Sequence, residues 1–235
     1  MNGRIPVKDE MNHHRLVAGL IVLATGLSVF VATLIVIPLA APSLAADDVA
    51  ETRTVSAFDR VRLDGAFASE IAAGKQQTRV VVSGNPDVVA RVTTEVSGGT
   101  LVVGMRPGLG VFGRSPKLEI RLPVLRGFAN NGAGSVNITG LTGGDIEIEN
   151  AGAASIVASG RAAREDVSLE GVGKIDTTAL DARDVTVSND GVGSVQVRAS
   201  GILTMSVNGV GEIRYSGNPS HVESHINGIG RIDRL

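Results

Sequence analysis

The chain has no cysteine and no tryptophan in 235 residues, one tyrosine, and only 3% aromatic residues in total. Without cysteine there are no disulfides, no thiol nucleophile, no thiolate metal site and no lipidated cysteine anchor, so core burial alone must hold the fold. The shortage of aromatics removes the stacking platforms on which proteins hold sugar rings or single-stranded nucleic acid. Charge of one sign is also lacking. With 22 basic and 24 acidic residues the net charge is -2, which leaves no electrostatic footprint for nucleic acid.

One long apolar run is present, the 22 uncharged residues from Leu16 to Ile37. Arg4, Lys8, His13, His14 and Arg15 precede it, and Pro38, Pro42 and small residues up to Ala46 come after it. The order predicts a cytoplasmic n-region over 1–15 and a signal peptide or transmembrane anchor helix over 16–41, with Ser43-Leu44-Ala45 as a cleavage site. The run exceeds the roughly 7–15 apolar residues of a cleaved signal and is long enough to cross a bilayer core. Both readings export the residues after Ala46, to the periplasm or cell surface, and the membrane is a partner if the helix is retained. Residues 46–57 read as a polar linker.

Glycine is abundant, with 30 residues, and it is placed periodically. Between Asn131 and Leu235 one phrase recurs six times: Gly132-Ala133-Gly134-Ser135-Val136, Gly152-Ala153-Ala154-Ser155-Ile156, Gly171-Val172-Gly173-Lys174-Ile175, Gly191-Val192-Gly193-Ser194-Val195, Gly209-Val210-Gly211-Glu212-Ile213 and Gly228-Ile229-Gly230-Arg231-Ile232. The first glycines are 20, 19, 20, 18 and 19 residues apart. A period of this size marks stacked units, none of which buries its apolar face alone.

Short strands fit each unit. One precedes the glycines, as in Asp145–Glu149, Asp166–Glu170, Asp184–Ser188 and Thr204–Val207. Another comes after them, as in Ser194–Val197, with loops at Gly143-Gly144, Gly160 to Arg164 and Gly217-Asn218-Pro219. A parallel β-helix satisfies such a repeat, because each coil lies about 4.8 Å over the previous one and equivalent residues stack. Residues 131–235 are therefore expected to form a solenoid of about 19-residue coils. Val136, Ile156, Ile175, Val195, Ile213 and Ile232 would line its core. Ala133, Ala153, Val172, Val192, Val210 and Ile229 would form a second inward column at a corner. Asn131, Asp190, Asn208 and Asn227 precede their glycines and suit a side-chain ladder.

Residues 58–130 read as an N-terminal β part of the same domain, with strands at Arg60–Leu63, Phe67–Ile71, Arg79–Val82, Thr100–Met105 and Lys117–Leu122. Asn85-Pro86-Asp87 predicts one capped helical turn before Val88, and Gly98-Gly99 a hairpin turn. Arg106 to Ser115 reads as a mobile loop. The six phrases, the stretch Asn208-Gly-Val-Gly-Glu-Ile-Arg-Tyr-Ser-Gly-Asn-Pro219, and the earlier Phe58-Asp59-Arg60-Val61 and Gly99-Thr100-Leu101-Val102-Val103 resemble the bacterial putative auto-transporter adhesin, head GIN domain family. The resemblance spans Phe58 to Ile232. It implies an all-β, coil-like domain of exported or envelope-anchored proteins, and it supplies no catalytic residues to carry over.

Three groups of residues invite chemistry. His221, Glu223 and His225 share a strand face at metal-like spacing but lack the glutamate that follows the first histidine in zinc-protease motifs. Asp176 and Asp233 follow their turns at one offset, yet calcium-binding rolls need a nine-residue repeat, and Asn137, Val157, Gln196 and Arg214 fill the equivalent places. The pairs Asp145/Glu147 and Asp166/Glu170 would suit glycoside hydrolysis only across a cleft, and alternating with Arg, Lys and Ser they read as a solvated face. No residue is put forward as catalytic, metal-binding or cofactor-binding, and no cofactor is expected. The expected function is a non-catalytic envelope scaffold whose partners are an envelope protein, a surface polymer or another copy of the chain. The alternative is a polysaccharide hydrolase or lyase on the same scaffold. N-terminal sequencing of the exported protein separates the two leader readings: cleavage places Ala46 first, and a retained anchor keeps the residues before it.

Overall fold

The computed structural model describes residues 48–107 and 115–235. The segment 1–47, with the expected anchor helix and the Ser43-Leu44-Ala45 cleavage site, and residues 108–114 of the expected mobile loop lie outside the described residues. Among the described residues no helix is long and apolar enough to cross a membrane.

The domain is all-β. Its N-terminal part holds β1 (Val49–Arg53), β2 (Arg60–Asp64), β3 (Ala66–Ala72), β4 (Arg79–Gly84), α1 (Pro86–Val89), β5 (Val92–Ser97), β6 (Thr100–Met105) and β7 (Lys117–Arg121). The repeats form β8 (Gly127–Asn130), β9 (Ala133–Thr142), β10 (Asp145–Asn150), β11 (Ala153–Leu169), β12 (Val172–Asn189), β13 (Val192–Ala199), β14 (Ile202–Val207), β15 (Val210–Gly217), β16 (His221–Ile226) and β17 (Ile229–Arg234). The repeats stack in parallel and in register. On the first wall Ala133, Ala153, Val172, Val192, Val210 and Ile229 are successive partners from β9 to β17. On the second wall Glu147, Asp166, Thr186, Thr204 and Glu223 are partners from β10 to β16.

The expected core column is present. Val136, Ile156, Ile175, Val195 and Ile213 are buried, with Ile232 packed against the core's edge. The corner column is corrected: it points outward, Val172 being 57% and Ile229 76% exposed. Strand alternation explains this, because side chains two positions apart share a face. Counting back from inward Val136, the second glycine of the phrase is the inward residue, and Ala154, which replaces it in one copy, is buried. The middle residue must then face water.

The Gly160 to Arg164 loop is also corrected. β11 and β12 run unbroken through their corners, with a register shift between Val157 and Ser159 and a positive φ of 132° at Gly160. Parallel neighbours above and below keep supplying backbone partners through the bend, so no loop is needed. Residues 46–57 are likewise not wholly a linker. β1 pairs antiparallel with β4 through Val49↔Gly84 to Arg53↔Val80, and its polar side chains suit an outer strand open to water.

The N-terminal part continues the stack. β2 pairs in parallel with β8 and β3 with β9, so Gly65-Ala66-Phe67 occupies the repeat position as a degenerate extra copy. β6 and β7 lie parallel on the other side of β2 and β3. Antiparallel β4 and β5 complete this end. Helix α1 seats Val88 and Val89 in the core, its start fixed where Asn85 Oδ1 accepts the Asp87 N–H at 3.0 Å.

The first glycine of each phrase is fixed by close approach. A Cβ on Gly191 would lie 2.1 Å from the Gly171 carbonyl oxygen, and one on Gly209 2.1 Å from that of Gly191. Gly191→Ala is expected to cost about 3 kcal/mol and to lower the melting temperature by roughly 6–12 °C. Gly144→Ala, where a Cβ meets nothing within 4 Å, is expected to stay within about 0.5 kcal/mol. Thermal unfolding by circular dichroism of the two variants checks both.

Candidate functional site

Because alternate residues of each strand face water, every wall presents straight rows of side chains. On the second wall one outer row runs Glu147, Asp166, Thr186, Thr204, Glu223, and the next runs Glu149, Ser168, Ser188, Ser206, His225. The wall is acidic toward β10 and hydroxyl-rich at β12 and β14. Arg60 reaches over Gly127 to the acidic end, its Nη1 donating to Glu147 Oε2 at 2.7 Å. Gly127 is the residue that permits this, since a Cβ there would lie 2.9 Å from Arg60 Nη1.

The structure re-pairs the candidate carboxylates. Glu147 of one sequence pair stands beside Asp166 of the other, on adjacent coils. The Asp166 carboxyl is pushed above its ordinary range, first by burial, then by repulsion from Glu147, with Arg164 partly opposing. Both acids stand on one open wall, and Glu147 is spent on Arg60. Asp145 is in register with Arg164, and Glu170 lies at the exposed turn. None of these acids faces another across a cleft of the kind glycoside hydrolysis requires.

His221, Glu223 and His225 fall on the outer face of β16, with His225 Nε2 3.1 Å from Glu223 Oε1. Among the described residues no group of three or more His, Asp or Glu gathers to hold a metal ion. Asp176 and Asp233 lie on β12 and β17, with β13 and β15 between them. Burial would raise the Asp176 carboxyl, but the Thr178 hydroxyl at 2.7 Å and Lys174 at 3.0 Å outweigh it and leave it lowered. Asp233 is held by Arg231 at 2.8 Å. The first wall's outer charges are thus largely spent on each other, as Arg214 and Arg231 on Glu212 at 2.6 and 3.0 Å also are.

The asparagine ladder is real and double. Outside, Asn227 Nδ2 donates to Asn208 Oδ1 at 3.1 Å and Asn208 Nδ2 to Asp190 Oδ1 at 2.7 Å. The Asp190 carboxyl is held below its ordinary range by the Ser188 hydroxyl and this amide. At the start of the row Asn131 Nδ2 donates to Asp64 Oδ1 at 2.8 Å. An inner row that the sequence pattern does not separate holds Asn130 and Asn150 as neighbours and, beyond Leu169, Asn189, all buried. There Asn130 Nδ2 donates to Asn150 Oδ1 at 2.8 Å, and Asn150 donates to the Val172 carbonyl at 3.3 Å. The signal for it lies in the doublets Asn130-Asn131 and Asn189-Asp190, of which only the second residue suggests a ladder member.

One buried acid has no counterpart among the sequence expectations. Glu165 is fully buried between Ile146 and Val185 in a column that continues to Leu203. Neither carboxyl oxygen has a hydrogen-bond partner. The nearby Thr177 hydroxyl donates to the Gln196 carbonyl instead, at 3.4 Å. Burial pushes the Glu165 carboxyl up to about 8, against a smaller lowering from Thr177.

The family model described as putative auto-transporter adhesin, head GIN domain, matches residues 57–219. A crystal structure of a putative adhesin from Bacteroides fragilis, 23% identical, superposes with a TM-score of 0.67 over 80% of this chain and 97% of its own. A putative lipid binding protein from Parabacteroides distasonis, 20% identical, superposes with a TM-score of 0.52 over 81% and 98%. At these identities the likeness is one of fold. No curated protein matches the chain.

The buried acid makes stability pH-dependent in a stated direction. Glu165 is neutral in the folded state up to about pH 8, whereas in the unfolded chain it ionises above its ordinary value near 4.5. Its contribution is therefore fully retained below pH 4.5 and is lost as pH rises toward 8. Urea unfolding is expected to find a Glu165→Leu variant more stable than wild type at pH 7 by on the order of 3 kcal/mol. The difference should shrink at acid pH.

Proposed function

The chain belongs to the putative auto-transporter adhesin, head GIN domain family, and from that membership we propose that it is an exported, non-catalytic scaffold that binds through a flat wall of its solenoid. The binding surface is the hydroxyl-rich part of the second wall, Thr186 and Thr204 in one row and Ser168 and Ser206 in the next, with Ser188 between those two serines donating to Asp190. The observation that carries the reading is this array itself. Hydroxyls repeated at coil spacing offer donors and acceptors to the repeating polar groups of a surface polymer or an envelope protein, and each hydroxyl can turn to suit.

Two further features support it. The first wall's charges are paired among themselves, and the middle of the second wall carries hydroxyls in place of charges. The scarcity of aromatic residues, 3% of the chain, favours hydrogen-bonded contact over ring stacking. Hydrolysis is the weaker reading because Glu147 and Asp166 share one open row and Glu147 is paired with Arg60.

Sedimentation of the protein with insoluble cell-wall glycan, matrix protein and envelope fractions tests the proposal. Binding to one fraction is expected, and replacing Ser168, Thr186 and Thr204 with alanine is expected to weaken it about tenfold while the fold is kept. Equal binding by the alanine variant would refute the assignment of the wall. Soluble product released from the glycan would refute the absence of catalysis.

A further inference from the structure

The two ends of the described solenoid are finished differently. At the N-terminal end antiparallel β4 and β5 and helix α1 close the stack, and Val89 is fully buried. At the other end β16 pairs only with β14 and β17 only with β15 among the described residues, so their outer edges offer unpaired backbone groups. The core stops abruptly there. Leu203 is 0% exposed and its column successor Val222 42%; Val207 is 0% and its successor Ile226 49%. A strand edge of this kind pairs readily with another chain unless it is blunted.

The sequence of this last coil is complementary to itself when reversed. About Ser224, an antiparallel copy of β16 sets Glu223 against His225 and Val222 against Ile226. About Ile232, an antiparallel copy of β17 sets Arg231 against Asp233 and Ile229 against Leu235. Each strand thus matches opposite charge or titratable partner with acid, and apolar with apolar, in both halves of the pairing. The two centres agree in direction as well. Ile232 follows buried Ile213 and Ser224 follows buried Met205 in their columns, so both face the coil's interior. A single two-fold axis through that interior can pass through both.

We propose that the β16 and β17 edge is a homodimer interface, in which a second copy of this chain adds its own β16 and β17 antiparallel about a two-fold axis through Ser224 and Ile232. The pairing satisfies the free backbone groups, covers Val222 and Ile226 and continues the core from one copy into the other. It is isologous, so it closes at two copies.

The absence of cysteine from the chain makes a site-specific test clean. Residues directly opposite in an antiparallel pair have Cα atoms about 4.5–5.5 Å apart, within disulfide range. Under mild oxidation Ser224→Cys is expected to yield a disulfide-linked dimer, whereas Thr186→Cys, on the outer wall, is not. In sedimentation the unmodified chain is expected to form dimers whose dissociation constant rises at least about tenfold in Arg231→Asp. The exchange Arg231→Asp with Asp233→Arg is expected to restore it. A folded Ser224→Cys protein that stays monomeric on oxidation overturns the proposal, as do equal cross-linking through Thr186→Cys, open-ended polymers, and failure of the double exchange to recover association. Because the cross-link is local to β16, association through residues 16–37 does not imitate it.

Discussion

Each coil rests on the previous one through a contact that only glycine allows. At the turn between the walls the α-carbon of one phrase's first glycine sits against the carbonyl of the equivalent glycine below. A Cβ on Gly132, Gly152, Gly171, Gly191, Gly209 or Gly228 would come within 1.9–2.1 Å of that oxygen. No rotamer relieves such an overlap, because the backbone alone fixes where a Cβ sits and the oxygen it meets is itself backbone. The turn can therefore close only where the two glycines are level, which sets the register for the strands on either side. Insertions between repeats are absorbed elsewhere, as at the shift between Val157 and Ser159, and the spacing of the glycines can vary by a residue or two without disturbing the columns.

Everything arranged in rows depends on that register. The apolar column becomes a continuous core because Ile156, Ile175, Val195 and Ile213 are stacked on one another. Asparagines become ladders for the same reason, and the buried Asn130 to Asn150 bond solves the problem of polar groups inside the turn. On the outer surface the same geometry makes flat arrays with no depth. A flat, repetitive surface is poor at gathering two reactive groups around one bond and good at making many weak, equal contacts, which is why the functional reading rests on whole rows.

Much of this architecture is legible in the sequence, because a repeat states its own register. The core column, the hairpin at Gly98-Gly99, the capped turn at Asn85 and five N-terminal strands stand within a residue or two of expectation. The features that are not legible have definite physical causes. An inward corner column presumes that a turn resets alternation; it does not, so Val172 and Val192 face water. The coil formed by β2 and β3 is hidden because Phe67 stands where later copies carry a second glycine, and its likeness lies in backbone position more than in side chains. The strands β1 and β5 are too polar to signal burial, since each lies at a margin of the sheet with one neighbour. The outer asparagine row can be read from sequence; its inner companion cannot, because an asparagine two places before a glycine looks like ordinary turn chemistry.

Glu165 shows how such an architecture tolerates a local fault. A carboxyl in a column of Ile146, Val185 and Leu203, with neither oxygen partnered, would threaten a compact fold whose core is one cooperative cluster. In a solenoid the stability is close to a sum of coil terms and nearest-neighbour terms, so the penalty falls on the two interfaces that Glu165 touches. One of the two is the long interface of β11 with β12, paired from Ala153↔Val172 to Leu169↔Asn189. The misfit thus sits beside a long backbone ladder that helps to offset it. The terminal coil has the opposite position: among the described residues it has one neighbouring coil and an exposed apolar edge. Stability in this fold declines from the middle of the stack toward whichever end is left open, and the open end is where a partner has most to add.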